Sequence, residues 1–234
     1  MLILSKWIKI INKSIRSSNI MLFFRDRRDA GRQLCRLLEK YKGKDIVVYA
    51  LPRGGIIPGE EIANYFSVPL DLILAHKLGH PYQPEYAVAA LSESGHIVGN
   101  SYELDSLGKA WLDREKERQM EEIRKKRKMY FRGQKEIPLQ GKIAIIVDDG
   151  IATGLTLQVG IMELKDRHPQ KIVAAVPVAP KTIANLLKTI VDDFVAIEIP
   201  EDCRFLGSVG AYYEEFDQVE DEEVIAILNK HNRV

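Results

Sequence analysis

The chain has few of the residues and patterns that mark secreted, metal-binding or membrane proteins. Its 234 residues include only two cysteines, Cys35 and Cys203, which lie far apart and form no motif. Neither a disulfide framework nor a zinc motif follows, so we expect a reducing compartment, the cytoplasm. No apolar run reaches the roughly 18 residues that span a bilayer. The formal net charge of +1 gives no overall attraction to nucleic acid or to membrane surfaces.

Two common nucleotide-binding fingerprints are also missing. The chain has neither the Gly-Lys-Ser/Thr ending of a Walker loop nor the Gly-x-Gly-x-x-Gly dinucleotide motif. What it has is ordinary for a globular protein, with 46% apolar and 29% charged residues. This length and composition predict one large domain, or one domain with a small appendage.

The first 20 residues are interpreted separately from the rest. Their apolar residues are interrupted by Lys6, Lys9 and Lys13, which is a poor match to a secretory signal. A basic amphipathic helix on a membrane surface is one interpretation. The interpretation we favour is a dispensable extension over 1–20, with the folded domain over 21–234.

An alternation of short apolar runs, turns and helical patterns predicts an α/β fold. We expect Asp29 to cap a first helix that runs to about Tyr41. The expected strands are 46–51, 70–75, 143–147, 171–179 and 194–199. The expected helices after the first are 57–66, 155–167, 182–190 and 221–230. This order is typical of an open, twisted parallel sheet with helices on both faces.

The alternation breaks over an excursion from about 76 to 131. Its first part is rich in turn residues, and a long helix is expected from 105 to 131, with its stop at Gly133. Between Asp113 and Lys128, 13 of 16 residues are charged, so most of that helix must face solvent or a partner subunit. The helix also carries a sparse apolar stripe, formed by Leu107, Trp111, Met120 and Ile123. This stripe needs cover from a partner subunit or from the chain's own core.

His76 and His80 are four residues apart, a spacing that would suit a metal on a helix. Gly79 and Pro81 argue against a helix there, and therefore against a zinc site.

The segment 143–156 carries the strongest chemical signal. A buried strand ends in Asp148 and Asp149, and a loop with the pattern Thr-Gly-x-Thr then leads into a helix. Ligands bind at the carboxyl ends of strands in open α/β sheets. The loop would aim backbone N–H groups and two hydroxyls at one phosphate-sized anion. Two adjacent carboxylates would repel a bare phosphate, so we expect them to face sugar hydroxyls, a cation or developing positive charge.

This segment resembles the phosphoribosyl pyrophosphate motif of type I phosphoribosyltransferases. The resemblance implies that Asp148 and Asp149 contact the ribose hydroxyls and act in catalysis. It implies that the 5′-phosphate is held by Ala152, Thr153, Gly154, Leu155 and Thr156. It also implies Mg²⁺, held mainly by the ligand, with Asp148 and Asp149 reaching the metal through water.

A second motif, Pro52-Arg53-Gly54-Gly55, follows the strand over 46–51, where this family places its pyrophosphate loop. The Arg53 guanidinium can fork onto pyrophosphate oxygens. Gly54 and Gly55 let the backbone approach closely, with room for unusual dihedrals. We expect Lys77 to assist there.

The resemblance covers nearly everything from Met21 onward, and two stretches, 77–87 and 205–216, resemble a subgroup of phosphoribosyltransferases whose acceptor is unassigned. Residues 200–217 would form the hood that recognises the acceptor, expected to be a nucleobase, through Phe205, Val209 and Tyr212. Tyr213 could also stack on a planar ring, although packing in the core is at least as favoured for each of these aromatic residues.

The function expected from the resemblance is phosphoribosyl transfer by a homodimer. Two alternatives stay open. One is a regulator that senses phosphoribosyl pyrophosphate and binds nucleic acid, against which the near-neutral charge counts. The other is a hydrolase that uses water as the acceptor.

Overall fold

We describe the protein from a computed structural model covering residues 24–131 and 136–231, without the side chains of residues 84 and 85. The first 20 residues and Gly133 therefore lie outside the described residues. Within those ranges, no helix is both long enough and apolar enough to cross a membrane.

The core is a parallel five-stranded sheet in the order β2-β1-β6-β7-β8. The strands are β1 (Ile46–Ala50), β2 (Leu70–Leu72), β6 (Ile143–Val147), β7 (Lys171–Val178) and β8 (Asp193–Glu198). All four neighbouring pairs are parallel. The central strand is β6, and Asp148 follows its last residue. This confirms the predicted sheet and the predicted position of Asp148.

Helices cover both faces of this sheet, as predicted. They are α1 (Arg27–Leu37), α2 (Ile56–Phe66), α5 (Leu155–Lys165), α6 (Lys181–Lys188) and α7 (Asp221–His231). Side chains along β6 alternate, since Ile145 and Val147 join the core under α1, α2 and α7, while Ile146 joins the core under α5 and α6. Every residue of β6 is buried, because both faces are covered.

The first helix begins earlier than the sequence predicts. The N-cap is Asp26, and its carboxylate accepts a hydrogen bond from the amide of Asp29 at 2.6 Å. Asp29 lies in the first turn, where a negative charge is also favourable. The α-helix ends at Leu37. The remaining residues that the sequence predicted as helix contain a short 3₁₀ turn, Glu39–Tyr41.

The excursion folds into a second sheet and two helices. The antiparallel strands are β3 (Ala75–His80), β4 (Gln83–Ser92) and β5 (Ile97–Gly99). The strand predicted over 70–75 is therefore divided between β2 and β3. The predicted long helix is α3 (Ser101–Leu107) and α4 (Lys109–Phe131), separated at Gly108, whose φ of +79° is incompatible with a continuous helix.

The predicted hood, 200–217, contains only two 3₁₀ turns, Asp202–Arg204 and Val209–Tyr212. Main-chain bonds join it to the segment before α1. The amide of Phe24 donates to the carbonyl of Tyr212, and the amide of Glu214 donates to the carbonyl of Phe24, both at 2.8 Å. The hood is thus held by the start of the described chain as well as by the sheet.

Candidate functional site

Strand order places the site between β1 and β6. From β1 the chain moves outward to β2, whereas from β6 it moves to β7 and β8 on the other side. Loops that leave neighbouring strands in opposite directions open a crevice at the carboxyl edge of the sheet. The register pairs Ala50 with Val147, so the turn after β1 and the acidic pair after β6 begin side by side.

The acidic pair lies at the bottom of this crevice. Asp148 accepts a hydrogen bond from the amide of Asp149 at 2.9 Å. The Oδ2 atom of Asp149 accepts from the Nε of Arg27 at 2.7 Å. Only 15% of the Asp149 side chain and 11% of the Arg27 side chain are exposed. The two carboxylates therefore differ, because only Asp149 has a side-chain cation bonded to it.

Burial and mutual repulsion govern how these carboxylates ionise. Burial raises the pKa of Asp148 well above its ordinary value, and the neighbouring charge of Asp149 raises it further. Burial also raises the pKa of Asp149, although the bond from Arg27 opposes that rise. Hydroxyl donors or a cation in the crevice would favour the ionised forms of both groups.

The loop after the acidic pair ends at the N-terminus of α5. The amide of Ile151 donates to the carbonyl of Val178 at 2.8 Å and anchors the start of the loop. Gly154, with φ of +72°, is the N-cap residue, and no side chain caps the helix. Ala152 and Thr153 are exposed. The first amides of a helix have no intrahelical partner, so this loop presents N–H groups to an anion.

The turn after β1 contacts the acidic pair directly. A Cβ atom on Gly54 would lie 1.9 Å from the Oδ2 of Asp149, and one on Gly55 would lie 2.6 Å from the carbonyl oxygen of Leu51. Only glycine fits at either position. The peptide between Pro52 and Arg53 is cis. The Arg53 side chain pairs with Glu220, with 3.2 Å between Nη1 and Oε2.

One cavity of about 800 Å³ joins these features. Of the predicted site residues, it is lined by Arg53, Gly54, Lys77, Asp148, Asp149, Ala152, Thr153, Gly154, Thr156 and Val209. Gly55, in the turn after β1, and Leu155, the first residue of α5, are not among its lining residues. A volume of this size is typical of small-molecule sites.

Two predicted acceptor contacts lie elsewhere. Tyr212 is fully buried, and its hydroxyl accepts from the amide of Leu206 at 3.2 Å. Phe205 packs on Tyr212 with 5.6 Å between ring centroids, in a small core with Phe24 and Val178. Both rings pack in the core that holds the hood to the sheet, which is the alternative that the sequence left open.

Arg27 and Phe216 are site residues that sequence reasoning did not assign, and Tyr213, expected only as a ring that could stack on the acceptor, contacts the acidic pair instead. Arg27 and Phe216 line the cavity, and the Tyr213 hydroxyl donates to the carbonyl of Asp149. Tyr213 and Phe216 fall within a stretch that resembles the subgroup, so a signal existed for them. Arg27 had none, because its contact with Asp149 joins residues 122 positions apart.

The described part of the chain holds no cluster of three or more His, Cys, Asp or Glu side chains able to bind a metal. The side chain of His76 bonds instead to Gln119, at 2.9 Å. Asp148 and Asp149 offer hard oxygen ligands, which suit Mg²⁺ only if other ligands complete its shell. The residues therefore fit a metal that arrives bound to a polyanionic ligand.

Comparisons with known proteins agree with this geometry. Over 215 residues the chain is 38% identical to a Mycobacterium tuberculosis protein named "Putative phosphoribosyl transferase", in strains CDC 1551 and H37Rv. The match covers 91% of the chain but 48% of those relatives, so the chain spans about half their length. The crystal structure of TT1426 from Thermus thermophilus has a TM-score of 0.75 and 36% identity, covering 90% of this chain and 99% of that one.

The family model of the phosphoribosyl transferase domain matches residues 27–213, which include both strand-end loops and most of the hood. The chain belongs to the phosphoribosyl transferase domain family.

Proposed function

We propose that the chain binds phosphoribosyl pyrophosphate and transfers its phosphoribosyl group to a nitrogen of a small acceptor, releasing pyrophosphate. A nucleobase or related heterocycle is the acceptor class we favour. The observation that carries the proposal is the cavity of about 800 Å³ at the β1–β6 crevice, which brings together an acidic pair and two candidate anion sites.

The acidic pair would hold the ribose. Its hydroxyls can donate to the free oxygens of Asp148 and Asp149, and this contact fixes the sugar between the two anion sites. As the C1–pyrophosphate bond breaks, positive charge develops on the sugar, and the two carboxylates stabilise it. The acceptor nitrogen attacks C1 from the opposite face, forms the new C–N bond and then loses its proton.

The loop before α5 would hold the 5′-phosphate. Thr153 and Thr156 line the cavity and can donate their hydroxyls, while Ala152 offers an exposed backbone at the same place. The N-terminus of α5 adds a favourable dipole. This end of the cavity therefore fixes the position of C1 relative to the acidic pair.

The opposite end would hold pyrophosphate. Lys77 and Arg53 line the cavity there, and Gly54 lets the turn come close to the acidic pair. Arg53 must exchange its pairing with Glu220 for the ligand. A Mg²⁺ ion carried by the ligand, contacting Asp148 and Asp149 through water, would neutralise part of the leaving group's charge.

The acceptor would lie beneath the hood. The backbone of 207–210 lines the cavity there with Val209, Phe216 and Gln218. The face of the Phe216 ring is covered by the Arg27 guanidinium at 3.6 Å from the ring centroid. Recognition would then come from main-chain groups, Val209 and the Gln218 amide rather than from stacking on Phe205 or Tyr212.

Pyrophosphate release tests this function. The wild-type chain is incubated with phosphoribosyl pyrophosphate, Mg²⁺ and a panel of nitrogen heterocycles, with a reaction lacking acceptor alongside. We expect acceptor-dependent release, and Asp149→Asn should slow it by roughly 10²–10³-fold. Asp166→Asn, which changes an exposed partner of His96, serves as the matched control and should retain the wild-type rate.

Other outcomes identify the alternatives. Equal release with and without acceptor would mean hydrolysis. Binding of the ligand without any release, combined with salt-dependent binding to nucleic acid, would mean a regulator. Full activity of Asp149→Asn would contradict the assignment of the acidic pair.

A further inference from the structure

Arg27 makes three separate contacts although it is the first residue of a helix. Its Nε donates to Asp149 at 2.7 Å, its Nη1 donates to the carbonyl of Asp217 at 2.6 Å, and its guanidinium lies over the ring of Phe216. With only 11% of the side chain exposed, these contacts fix its conformation. One side chain thus touches both the acidic pair and the hood.

The surrounding contacts make this link stiff. The ring of Phe216 also packs against Tyr213, with 4.8 Å between centroids, and the Tyr213 hydroxyl donates to the carbonyl of Asp149. The amides of Glu214 and Glu215 donate to the carbonyls of Phe24 and Arg25 at 2.8 and 2.9 Å. The hood, the start of α1 and the acidic pair therefore form one connected unit.

From this geometry we infer that Arg27 is a positioning residue that holds the Asp149 carboxylate for the ribose and the hood for the acceptor at the same time. The inference rests on the proposed function, because it takes the ribose as the group that Asp149 receives. It goes beyond that function by assigning the link between the two halves of the site to one residue.

The guanidinium group is required for this role. Its planar fork donates in two directions while its face covers an aromatic ring. A lysine ammonium at the same place keeps the charge but is a point donor, so it can pair with Asp149 or reach Asp217 without covering Phe216. Arg27→Lys therefore keeps the positive charge but loses the simultaneous contacts with the acidic pair and the hood.

The test compares Arg27→Lys with Arg25→Gln. Arg25 is two residues away, and among the described residues its exposed side chain pairs with neighbouring Asp26. Calorimetry measures the affinity for phosphoribosyl pyrophosphate and, separately, for inorganic pyrophosphate, both with Mg²⁺. Hydrogen exchange of the free proteins follows the amides of Glu214 and Glu215.

In Arg27→Lys we expect affinity for phosphoribosyl pyrophosphate to fall roughly tenfold or more, since an ammonium that pairs with Asp149 no longer fixes that carboxylate against the hood. Affinity for pyrophosphate, which lacks the ribose, should change less than about threefold. The two hood amides should exchange at least about tenfold faster, because the hood opens more readily. Arg25→Gln should match the wild type in all three measurements.

Each other result overturns the inference. Equal losses for both ligands would make Arg27 a general source of positive charge, and unchanged exchange would remove the link to the hood. If Arg27→Lys does not fold, Phe216→Leu keeps the Arg27–Asp149 pair, removes the ring, and should give the same faster exchange.

Failure of the proposed function gives a different result. If the wild type binds pyrophosphate but not phosphoribosyl pyrophosphate, the proposed function is wrong, and so is the ribose role of Arg27. The exchange measurement still reports separately whether Arg27 braces the hood.

Discussion

At the scale of single residues, Asp148 is the group whose replacement should affect stability and activity in opposite directions. Its pKa is raised by burial and by the charge of Asp149, so ionised Asp148 destabilises the folded chain without ligand. Because the folded-state pKa is the higher one, stability is lost as pH rises through it. An asparagine at this position would avoid this cost, and its amide oxygen can still accept from the amide of Asp149.

We therefore expect Asp148→Asn to unfold at a higher temperature than the wild type at pH 7–8. The gain should be about 0.5–2 kcal/mol, and turnover should be lost. The difference in stability should shrink as the pH falls toward about 3, where Asp148 is largely protonated in the unfolded state as well as in the folded state. Thermal melts across this range measure it, with exposed Asp113→Asn as the control. A variant less stable than the wild type at pH 7 would contradict this account of the acidic pair.

Single residues also show where sequence reasoning about the site succeeds and fails. Arg53 follows β1, and Asp148 and Thr153 follow β6. Because these strands are parallel neighbours, their order alone brings the three residues to one edge of the sheet. The sequence around Phe205 and Tyr212 does not distinguish an aromatic ring that faces a ligand from one that packs in a core. Their burial depends on Phe24 and Val178, which are distant in the chain.

At the scale of elements, Glu60 of α2 connects α1 and α7. It is 3% exposed and bonds to Arg28 and to Lys230, each at 2.8 Å. Burial alone would raise the pKa of Glu60, but the bonds from Lys230 and Arg28 outweigh burial and lower it. A lowered folded-state pKa gives stability that is present above the unfolded value, near 4.5, and is lost as pH falls through the folded value.

Glu60→Gln should lower the free energy of unfolding at pH 7 by about 1–3 kcal/mol, since it loses two charge-assisted bonds. The variant should also lose less stability than the wild type as pH falls below about 4.5. Urea unfolding at several pH values checks both expectations. Glu201→Gln removes only the exposed pair with Lys181 and should change stability very little. A Glu60→Gln variant with the wild-type pH dependence would show that these bonds do not join the helices.

Elements with a strong local pattern were predictable, and those set by single backbone positions were not. The strand over 143–147 and the helix after Gly154 follow from apolar runs and turn residues. The division at Gly108 was missed because a single glycine is tolerated inside a helical pattern, and the residues on both sides of it are helical. The antiparallel sheet over 75–99 depends on pairing between strands rather than on any local pattern.

At the scale of the whole molecule, the apolar stripe on the charged helix gives no support for a partner. Ile123 is fully buried, and Leu107, Trp111 and Met120 pack on the chain's own core. The exposed apolar groups of the excursion are instead Tyr82, Tyr86 and Tyr102, with 86%, 50% and 82% of their surface accessible.

A homodimer stays our prediction, with these tyrosines at the contact. Light scattering at micromolar concentration, with phosphoribosyl pyrophosphate and Mg²⁺ present, should give twice the mass of the chain. The double variant Tyr82→Ser, Tyr102→Ser should weaken the dimer without lowering the unfolding temperature, because both side chains are mostly exposed. A stable wild-type monomer would rule the dimer out.

The central claim is that C1 of the ribose passes from pyrophosphate to an acceptor nitrogen. Nuclear magnetic resonance of phosphoribosyl pyrophosphate labelled at C1 follows that atom directly, in a pool of nucleobases and related heterocycles with Mg²⁺. The account predicts a new C1–N signal of inverted configuration with the wild type, and the same signal growing roughly 10²–10³-fold more slowly with Asp149→Asn. Bound ligand whose C1 signal never changes, or conversion to ribose 5-phosphate alone, would contradict it.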